Sequence, residues 1–482
     1  MRGLLGTAAT PAASTRNAGP SGRLPIELVC AGCGHRVAPG QPAPLRCPRA
    51  VVGDDTDHVL GRVLDPARLS FPSGAEPNPF VRYRTLFHAY HVATASGWTD
   101  RDYVRLVERL DRAVAAVDGT GFRVTPFARG AALGKRLGFS AGGGVYVKDE
   151  TGNVSGSHKA RHLMGTMLEL EVADALAGGG AERRPLAIAS CGNAALAAAV
   201  IARAAGRDLE VFIPPDAHPA VVARLKTLGA HLTVCRREPG VPGDPTYRRL
   251  RAAIERGALP FTCQGNENGF AIEGGLTLGY ELAADLAAAG ATLDRLFIQV
   301  GGGALASACI QGLAEARLLG AGRADPRIHP VQASAVAPLA RAYERLAQRL
   351  DEKAPSEDDF AWAARHRSAF MWPWEHEPHS VAEGILDDET YDWLAVVRGT
   401  LASRGHPVVV DEATLLEANE LGRAAAGIDS DPTGTAGLAG LLELRRHGVV
   451  GSGETVAVLF TGVRRDGLPA TDPSHAPEGE RR

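Results

Sequence analysis

Residues 147–161 read VKDETGNVSGSHKAR, and this stretch decides how the rest of the chain is interpreted. Its first residues are predicted to end a strand, and the apolar periodicity that follows it predicts a helix. Lys159 stands at the junction, where Ser155 and Ser157 are expected to cap the helix. Gly156 is expected to let the backbone approach a bound group. Because most lysines lie on solvated faces, this stretch alone leaves a structural and a functional lysine both open.

A second junction of strand and helix lies at residues 188–200, IASCGNAALAAAV. Its small and polar residues are Ser190, Cys191, Gly192 and Asn193. Short apolar strands alternate with Ala- and Leu-rich helices through most of the chain, and several strands end in such residues. This rhythm predicts an α/β fold with an open parallel sheet.

A third junction, residues 297–308, reads FIQVGGGALASA and contains Gly301, Gly302 and Gly303 in succession. Successive backbone N–H groups at a helix N-terminus bind phosphate, and glycine permits its close approach. The run is not GxGxxG and no acidic residue is placed as a ribose partner. A nucleotide-dependent α/β enzyme is therefore the lesser interpretation of this loop.

Composition narrows the classes of function. The chain has 482 residues, enough for two or more domains. A formal charge of −3 and a pI near 6.6 give no broad basic surface, so we expect no nucleic-acid partner. No apolar run approaches a membrane span, so we expect no membrane partner. The seven cysteines are scattered, which indicates a reducing compartment and favours a cytoplasmic location.

The lysine, asparagine and glycine loops together resemble those of fold-type II pyridoxal phosphate (PLP) enzymes, the tryptophan synthase β superfamily. The nearest branch is that of the threonine synthases and serine/threonine dehydratases. Residues 427–441, GIDSDPTGTAGLAGL, and 458–467, VLFTGVRRDG, resemble two later family segments. The five segments occur in the family's order, and the similarity spans about residues 120–465.

The resemblance implies two open twisted sheet domains. A small N-terminal segment that is similar to a zinc ribbon precedes them. The expected divisions are a disordered tail at 1–24, the ribbon-like segment at 25–65, a larger PLP-binding domain at 66–160 and 266–470, a smaller domain at 161–265, and a frayed tail at 471–482. A homodimer is the habit of the family, and its substrates are small amino acids.

The resemblance also implies roles for individual residues. Lys159 would form the Schiff base with PLP and remove the substrate's Cα proton. Asn193 would hydrogen-bond the ring hydroxyl, and Thr461 or Thr433 would face the pyridine nitrogen. The expected phosphate ligands are the backbone N–H groups of Gly301, Gly302, Gly303 and Ala304.

Three further roles are less constrained. His158 could add a phosphate contact or serve packing at the entry to the helix. Ser190, Cys191 and Gly192, with Asn193, would receive the substrate carboxylate on their N–H groups. Cys191 lies where some relatives have a serine that acts from the opposite face of the cofactor, so an acid/base role and a buried packing role are the two alternatives.

The resemblance is weakest at the residues that would identify the substrate and the type of reaction. Threonine synthases usually hold the substrate phosphate with an arginine, but residues 265–274, GNENGFAIEG, have Ala271 at that position. Ala160 stands where the usual aspartate follows the lysine, and residues 382–384 resemble the dehydratases' A-D-G segment. We therefore expect β-elimination or β-replacement on a β-substituted amino acid, through an aminoacrylate.

Two other functions stay as alternatives. Arg161, Arg464 and Arg465 could rebuild an anion pocket, and the enzyme would then be a threonine synthase that converts O-phosphohomoserine to threonine. A PLP-binding pseudoenzyme would bind the cofactor without turnover, although the lysine and the phosphate loop are intact.

The N-terminal segment contains candidate metal ligands. Cys30, Cys33 and Cys47 have the spacing of half a zinc ribbon with one further thiol. His58, or less favourably His35, could complete a Cys₃His site. The alternatives are a structural zinc site and a vestigial ribbon without metal.

One stretch breaks the α/β rhythm. Residues 342–380 contain Trp362, Trp372 and Trp374, three of the five tryptophans of the chain. The insertion could be an apolar lid or a subunit contact, or it could form a wall that faces the substrate.

Overall fold

The computed structural model describes residues 22–465 apart from 40, 42, 52, 179–182, 242 and 352. The strands within these residues are β1 (Ile26–Cys30), β2 (Leu60–Leu64), β3 (Phe127–Arg129), β4 (Gly144–Asp149), β5 (Leu186–Ala189), β6 (Leu209–Ile213), β7 (His231–Val234), β8 (Leu259–Pro260), β9 (Arg295–Gln299), β10 (Arg327–Ala333), β11 (Val408–Val410) and β12 (Thr455–Phe460).

The helices of the same residues connect these strands. They are α1 (Pro79–Arg82), α2 (His88–Ala95), α3 (Asp100–Asp118), α4 (Ala131–Arg136), α5 (Lys159–Leu176), α6 (Asn193–Ala204), α7 (Pro219–Thr227), α8 (Pro245–Glu255), α9 (Ala271–Ala288), α10 (Ala304–Leu318), α11 (Pro338–Leu350), α12 (Glu357–Arg365), α13 (Trp393–Ala402), α14 (Glu412–Ala426) and α15 (Pro432–Arg446).

Two open sheets organise the fold. The larger sheet has the strand order β11-β10-β9-β12-β4-β3, in which β3 runs antiparallel to β4 and the other neighbours are parallel. The smaller sheet, β7-β6-β5-β8, is parallel throughout. The prediction of an α/β fold with two open sheets and a small N-terminal segment is confirmed.

The carboxyl ends of four strands position the site. β4, β12 and β9 are neighbours in the larger sheet, and each is followed by one of the predicted loops. β5 lies inside the smaller sheet and leads into the loop that contains Asn193. Because ligands of open α/β sheets bind beyond the carboxyl ends of strands, these loops form the candidate site.

Helix α5, which begins at the lysine, is buried on every side from Ala160 to Val172. The buried face includes charged residues such as Arg161 and Glu169, and α5 packs closely against α9. A Cβ atom at Gly165 would lie 2.5 Å from the backbone nitrogen of Gly274, so glycine is needed for this approach. The close packing brings charged residues of α9 beneath the lysine loop.

The N-terminal segment is a two-stranded antiparallel ribbon docked on the body of the protein. Cys30 of β1 pairs with Leu60 of β2. Arg62 of β2 donates to Glu273 of α9 at 2.8 Å, and both side chains are about 95% buried or more. The ribbon is therefore fixed to the same helix that supports α5.

The tryptophan-rich segment forms α11, α12 and an irregular return. Trp372 lies under the guanidinium of Arg341, with the guanidinium carbon 3.7 Å from the ring centroid. Trp362 lies under Arg349 at 3.4 Å. These two rings therefore cover arginines of α11 in cation–π contacts.

Two of the predicted segments are tails at the ends of the chain. Most of the predicted tail at 1–24 and all of the tail at 471–482 lie outside the described residues. Among the residues that the structure describes, none of the helices has the length and apolarity to cross a membrane.

Candidate active site

Lys159 is the first residue of α5 and is half-buried. The loop before it pairs with the turn after β12: Val463 N–H donates to the Gly156 carbonyl at 2.9 Å, and His158 N–H to the Thr461 carbonyl at 3.3 Å. The amine is thus placed where the ends of two neighbouring strands, β4 and β12, are joined by their loops.

The predicted capping by Ser155 and Ser157 is wrong. His158 occupies the capping position of α5, and its side chain makes no capping hydrogen bond. Ser155 has a φ of +56°, and the buried Ser157 hydroxyl has no hydrogen-bond partner among the described residues. The reason is that the backbone here pairs with the β12 turn instead. Gly156 is pressed by that turn too, since a Cβ there would overlap Val463.

His158 is a buried, neutral histidine. Burial lowers its pKa well below the usual range, and the charge of Lys159 acts in the same direction. Its Nδ1 lies 3.3 Å from the Thr461 carbonyl, which can only accept, so Nδ1 bears the hydrogen. Nε2, which has no partner among the described residues, is then an acceptor. This tautomer is unsuited to a phosphate contact and favours the packing alternative.

Asn193 opens α6 and is held by an arginine. Arg465 donates to Asn193 Oδ1 at 2.7 Å and to the Ser155 carbonyl at 2.8 Å. One guanidinium therefore joins the asparagine loop to the lysine loop. Because Oδ1 is the acceptor, the amide nitrogen of Asn193 is the donor, which suits a ring hydroxyl.

The two threonine candidates have different surroundings. Thr461 is buried, and its hydroxyl accepts from Gln299 Nε2 at 2.6 Å. Thr433 is half-buried, and its hydroxyl accepts from Gly384 N–H at 3.0 Å. Both hydroxyls keep a hydrogen to donate, but Thr461 also contacts the lysine loop, which makes it the better candidate for the pyridine nitrogen.

The glycine run lies between β9 and α10. Gly303 caps α10 with a φ of +97°, a conformation that L side chains rarely adopt, and Ala304 is the first residue of the helix. A Cβ at Gly301 would overlap the carboxylate of Asp387. The run therefore forms a cradle of backbone N–H groups at the start of α10.

The loop after β5 contains Ser190, Cys191 and Gly192, all half-buried. Burial raises the pKa of the Cys191 thiol to about 11, and nearby carboxylates, among them Glu383 and Asp244, act in the same direction. At neutral pH the side chain is a thiol and cannot act as a base.

Arg161 belongs to a buried ion-pair network, not to an anion pocket. Its guanidinium donates to Glu150 at 2.8 Å and to Glu281 at 2.6 Å, and Lys148 also donates to Glu281 at 2.6 Å. All four side chains are fully buried. The expectation that Arg161 could receive a substrate anion is wrong, because two glutamates already neutralise it.

The other two arginines of that expectation are also engaged. Arg464 donates to Asp429 at 3.0 Å, and Arg465 binds Asn193 as described. Neither is directed to a separate pocket. Lys159 itself interacts electrostatically with Asp387, Asp392 and Cys263, so the surroundings of the amine are acidic.

Asp387 is the residue that the sequence interpretation missed. It lies in the segment 385–392, which covers the glycine run, and its carboxylate would be overlapped by a Cβ atom at Gly301. A sequence signal was available, since the acidic run LDDETYD at 386–392 begins two residues after the segment matched to the dehydratases. Its distance along the chain from the glycines concealed the contact.

The predicted metal ligands also come together. Ligand atoms of Cys30, Cys33, Cys47 and His58 lie within 4.8 Å of one another, so His58 rather than His35 completes the group. Sγ of Cys33 and Sγ of Cys47 are 3.7 Å apart, and Sγ of Cys30 is 3.5 Å from Nδ1 of His58. Tetrahedral zinc with Zn–S bonds of about 2.3 Å separates two sulfurs by about 3.8 Å. The group therefore fits a zinc ion.

The residues present also fit PLP. Within one connected set of loops the chain has an amine, an oriented amide, a cradle of N–H groups and buried hydroxyl groups. These are the groups that the aldehyde, ring hydroxyl, phosphate and pyridine nitrogen require. The carboxylate of Asp387 at the cradle is the single feature here that does not match a phosphate.

Comparisons with known proteins agree with this assignment. The family model described as "Pyridoxal-phosphate dependent enzyme" matches residues 120–462. A threonine synthase of Synechocystis sp. is 28% identical over 70% of this chain and 75% of its own. A solved threonine deaminase from T.th. has a TM-score of 0.53 at 22% identity, over 75% of this chain and 99% of that chain. Diaminopropionate ammonia lyase from Escherichia coli has a TM-score of 0.54 at 16% identity, over 75% and 89%.

Proposed function

The chain belongs to the pyridoxal-phosphate dependent enzyme family, and we propose that it catalyses β-elimination or β-replacement on a β-substituted amino acid. When bound, PLP withdraws electrons from the substrate's Cα and so makes its proton removable. Lys159 is the residue that carries the cofactor. The similarity to threonine synthases supports an amino acid as the substrate.

Each residue or loop of the site has its own role in the proposed reaction. Lys159 Nζ takes the Cα proton, and the amide of Asn193 holds the ring hydroxyl. The cradle before α10 binds the phosphate through backbone N–H groups. The N–H groups of the loop at 190–192 bind the substrate carboxylate. The Thr461 hydroxyl donates to the pyridine nitrogen and leaves it uncharged, which suits chemistry at Cβ better than transamination.

The reaction balances without a further reactant other than water or a nucleophile. Lys159 Nζ accepts the Cα proton, and the bond from Cβ to its substituent breaks with both electrons leaving on the substituent. The leaving group takes up a proton from Lys159 Nζ or from water, so the proton removed from Cα is accounted for. The unsaturated product is then hydrolysed to a 2-oxo acid and ammonia, or a nucleophile adds at Cβ.

One observation favours elimination over threonine synthesis: the arginines that could hold a substrate phosphate are all engaged. Arg161 lies between two buried glutamates, Arg464 binds Asp429 and Arg465 binds Asn193. The charges near Cys191 are acidic, including Asp216 and Asp244. A cationic clamp is the usual means of holding a substrate phosphate, so these engaged arginines and acidic charges favour a β-substituent that is neutral or cationic.

A substrate panel tests the proposal. PLP-loaded protein is incubated with serine, threonine, 2,3-diaminopropionate, O-acetylserine, O-phosphoserine and O-phosphohomoserine, and 2-oxo acid and ammonia are measured. From a substrate without phosphate we expect 2-oxo acid and ammonia in equal amounts, except that 2,3-diaminopropionate should give two ammonia per 2-oxo acid because its leaving group is also ammonia. Threonine formed from O-phosphohomoserine alone would replace the proposal with threonine synthase. Full cofactor loading without any product would identify a pseudoenzyme.

We propose separately that Cys30, Cys33, Cys47 and His58 hold a structural zinc ion. The donor set is closed, because four protein ligands leave no position for a substrate. Nε2 of His58 lies 2.8 Å from Asp54 Oδ2, which orients Nδ1 toward the sulfurs, the usual arrangement around a ligating histidine. Metal analysis of the purified protein is expected to give one zinc per chain, and Cys33→Ser to lose it. Absence of zinc in protein purified with zinc supplied would favour a vestigial ribbon.

We propose that the enzyme acts in a reducing compartment. None of the seven cysteines, all of which lie in the described part of the chain, forms a disulfide. This fits the cytoplasmic location expected from their scattered spacing. We propose a homodimer, and light scattering at several concentrations measures the mass of the assembly.

A further inference from the structure

Segment 385–392 lies directly across the glycine run. Thr390 Oγ1 donates to the Gly301 carbonyl at 2.9 Å, and Asp392 N–H donates to the Gly302 carbonyl at 3.0 Å. A Cβ at Gly302 would lie 2.9 Å from the ring of Tyr391. The segment is thus fixed to the backbone of the cradle by two hydrogen bonds and by close packing.

Asp387 extends from this segment to the face of the cradle. The Gly302 N–H stabilises the ionised form of this carboxylate and so acts to lower its pKa. The carboxylate lies so near Gly301 that any side chain at that position would overlap it. An anion supplied by the chain itself therefore lies at the glycine run whose N–H groups are expected to receive the cofactor phosphate.

The charges that face Asp387 come from several elements. Lys159 on α5 is the cation, Asp244 before α8 is an anion, and Asp388 lies beside it on its own segment. Cys263, ahead of α9, and Tyr391 are the neutral titratable neighbours. Burial raises the pKa of Asp387 to about 6, against the stabilising effects of Lys159 and the Gly302 N–H.

A second anion at the same N–H groups changes this balance. Two anionic groups in one site repel each other. The repulsion raises the pKa of one of them, so that group keeps its proton up to a higher pH. A phosphate carries about two charges at neutral pH. Beside it the Asp387 side chain becomes a neutral carboxylic acid, which can donate a hydrogen bond to a phosphate oxygen instead of repelling it.

We propose that Asp387 is a ligand of the cofactor phosphate in its protonated form, so that the protein takes up a proton on Asp387 when PLP binds. This inference rests on the proposed cofactor and adds a residue to its site. The cradle thereby binds phosphate through backbone N–H groups and one carboxylic acid, without an arginine.

Cofactor affinity is the quantity to measure. Cofactor-free wild type and Asp387→Asn, a neutral side chain of the same shape, are titrated with PLP at pH 5.5 and pH 8.5. At pH 5.5 we expect equal affinities. At pH 8.5, about 2.5 units above the pKa of Asp387 in the cofactor-free protein, binding to the wild type also requires protonation of this carboxylate. We therefore expect the variant to bind PLP at least about 100-fold more tightly, since each pKa unit corresponds to tenfold. Calorimetry in two buffers should show one more proton taken up by the wild type near pH 7.5.

Two controls make the result specific. Pyridoxal, which lacks the phosphate, should bind wild type and variant with the same ratio at both pH values. Asp388→Asn, which removes the adjacent carboxylate, should behave as the wild type. Asp387→Ala is a second variant in case the asparagine disturbs the segment, and the same pH-dependent gain is expected.

The outcomes separate this inference from the proposed function. Binding of PLP by the wild type, with an Asp387→Asn affinity that is unchanged or weaker at pH 8.5, would overturn the role of Asp387 alone. An equal gain with pyridoxal would overturn it too, because the phosphate would not be involved. No binding of PLP to the wild type at either pH would remove the cofactor and this inference together.

Discussion

The two sides of the lysine loop differ in how their polar groups are satisfied. Beneath the loop, Arg161, Lys148, Glu150 and Glu281 are fully buried and balance two positive charges with two negative ones. On the side of Lys159, the buried hydroxyl groups of Ser155 and Ser157 have no hydrogen-bond partner among the described residues. Buried polar groups are normally paired, so the paired side is a scaffold and the other side is built to receive a ligand.

The largest effect expected from this comparison is on function alone. Lys159→Ala should lower turnover by at least about 10²–10⁴-fold, the usual contribution of a positioned acid or base. Because Lys159 is half-buried and lies outside the ion-pair network, the thermal midpoint of the cofactor-free protein should change little. Turnover measured beside thermal unfolding checks this, and a variant that unfolds early would show that Lys159 belongs to the scaffold.

A substitution beneath the loop should have the opposite effect and lower the stability of the protein. Glu281→Gln leaves Arg161 and Lys148 with one carboxylate fewer in a buried site, and breaking a buried ion pair costs about 3–5 kcal/mol. Urea unfolding of the cofactor-free protein measures the loss. The exposed pair Arg446–Glu417 offers a control, and Glu417→Gln should cost less than about 1 kcal/mol. Equal effects of the two substitutions would break the comparison.

The same glutamate should contribute a pH dependence. Burial alone would raise the pKa of Glu281, but Arg161 and Lys148 together hold it below its ordinary value. A depressed folded-state pKa stabilises the protein above the unfolded value of about 4.3, and this stability is lost as the pH falls through the folded value. Wild type should therefore lose more stability than Glu281→Gln on acidification from pH 5. Parallel losses would contradict this coupling.

On the receiving side, the two threonines can be separated. Thr461→Val removes a hydroxyl and keeps the shape, and we expect turnover to fall about tenfold, the equivalent of one hydrogen bond. Thr433→Val, the matched control, should have a smaller effect. If Thr433→Val lowers turnover more, Thr433 faces the pyridine nitrogen and the assignment reverses.

The smallest effect is expected at Cys191. Its thiol stays protonated because burial raises its pKa to about 11, so it supplies no base at neutral pH. Cys191→Ala removes the thiol without introducing a hydroxyl that could replace it, and it should change turnover by less than about threefold. A loss comparable to that of Lys159→Ala would restore the acid/base role from the opposite face of the cofactor.

Much of the fold could be predicted from sequence because its signals are local. The strands β5, β9 and β12 are short apolar runs, and glycine or small polar residues follow each of them. The metal-binding ribbon and its four candidate ligands could also be predicted from the sequence, because Cys30, Cys33 and Cys47 lie close together in the chain.

The rest depends on contacts between distant residues, which a single sequence does not record. Arg161 meets Glu281, 120 positions away, so the sequence does not predict its burial among carboxylates and leaves an anion pocket open as an alternative. Asp387 reaches the glycine run from another distant segment. The capping prediction failed for a related reason, because the lysine loop pairs with the turn at 461–463 near the end of the chain.

The most direct test of the central claim is the site of cofactor attachment. PLP-loaded protein is reduced with borohydride, digested, and mapped by mass spectrometry. The account predicts one phosphopyridoxyl group per chain, on Lys159, and none in Lys159→Ala. Modification of a different lysine in the wild type, or no modification of fully loaded protein, would contradict the assignment of Lys159 and the active site built around it.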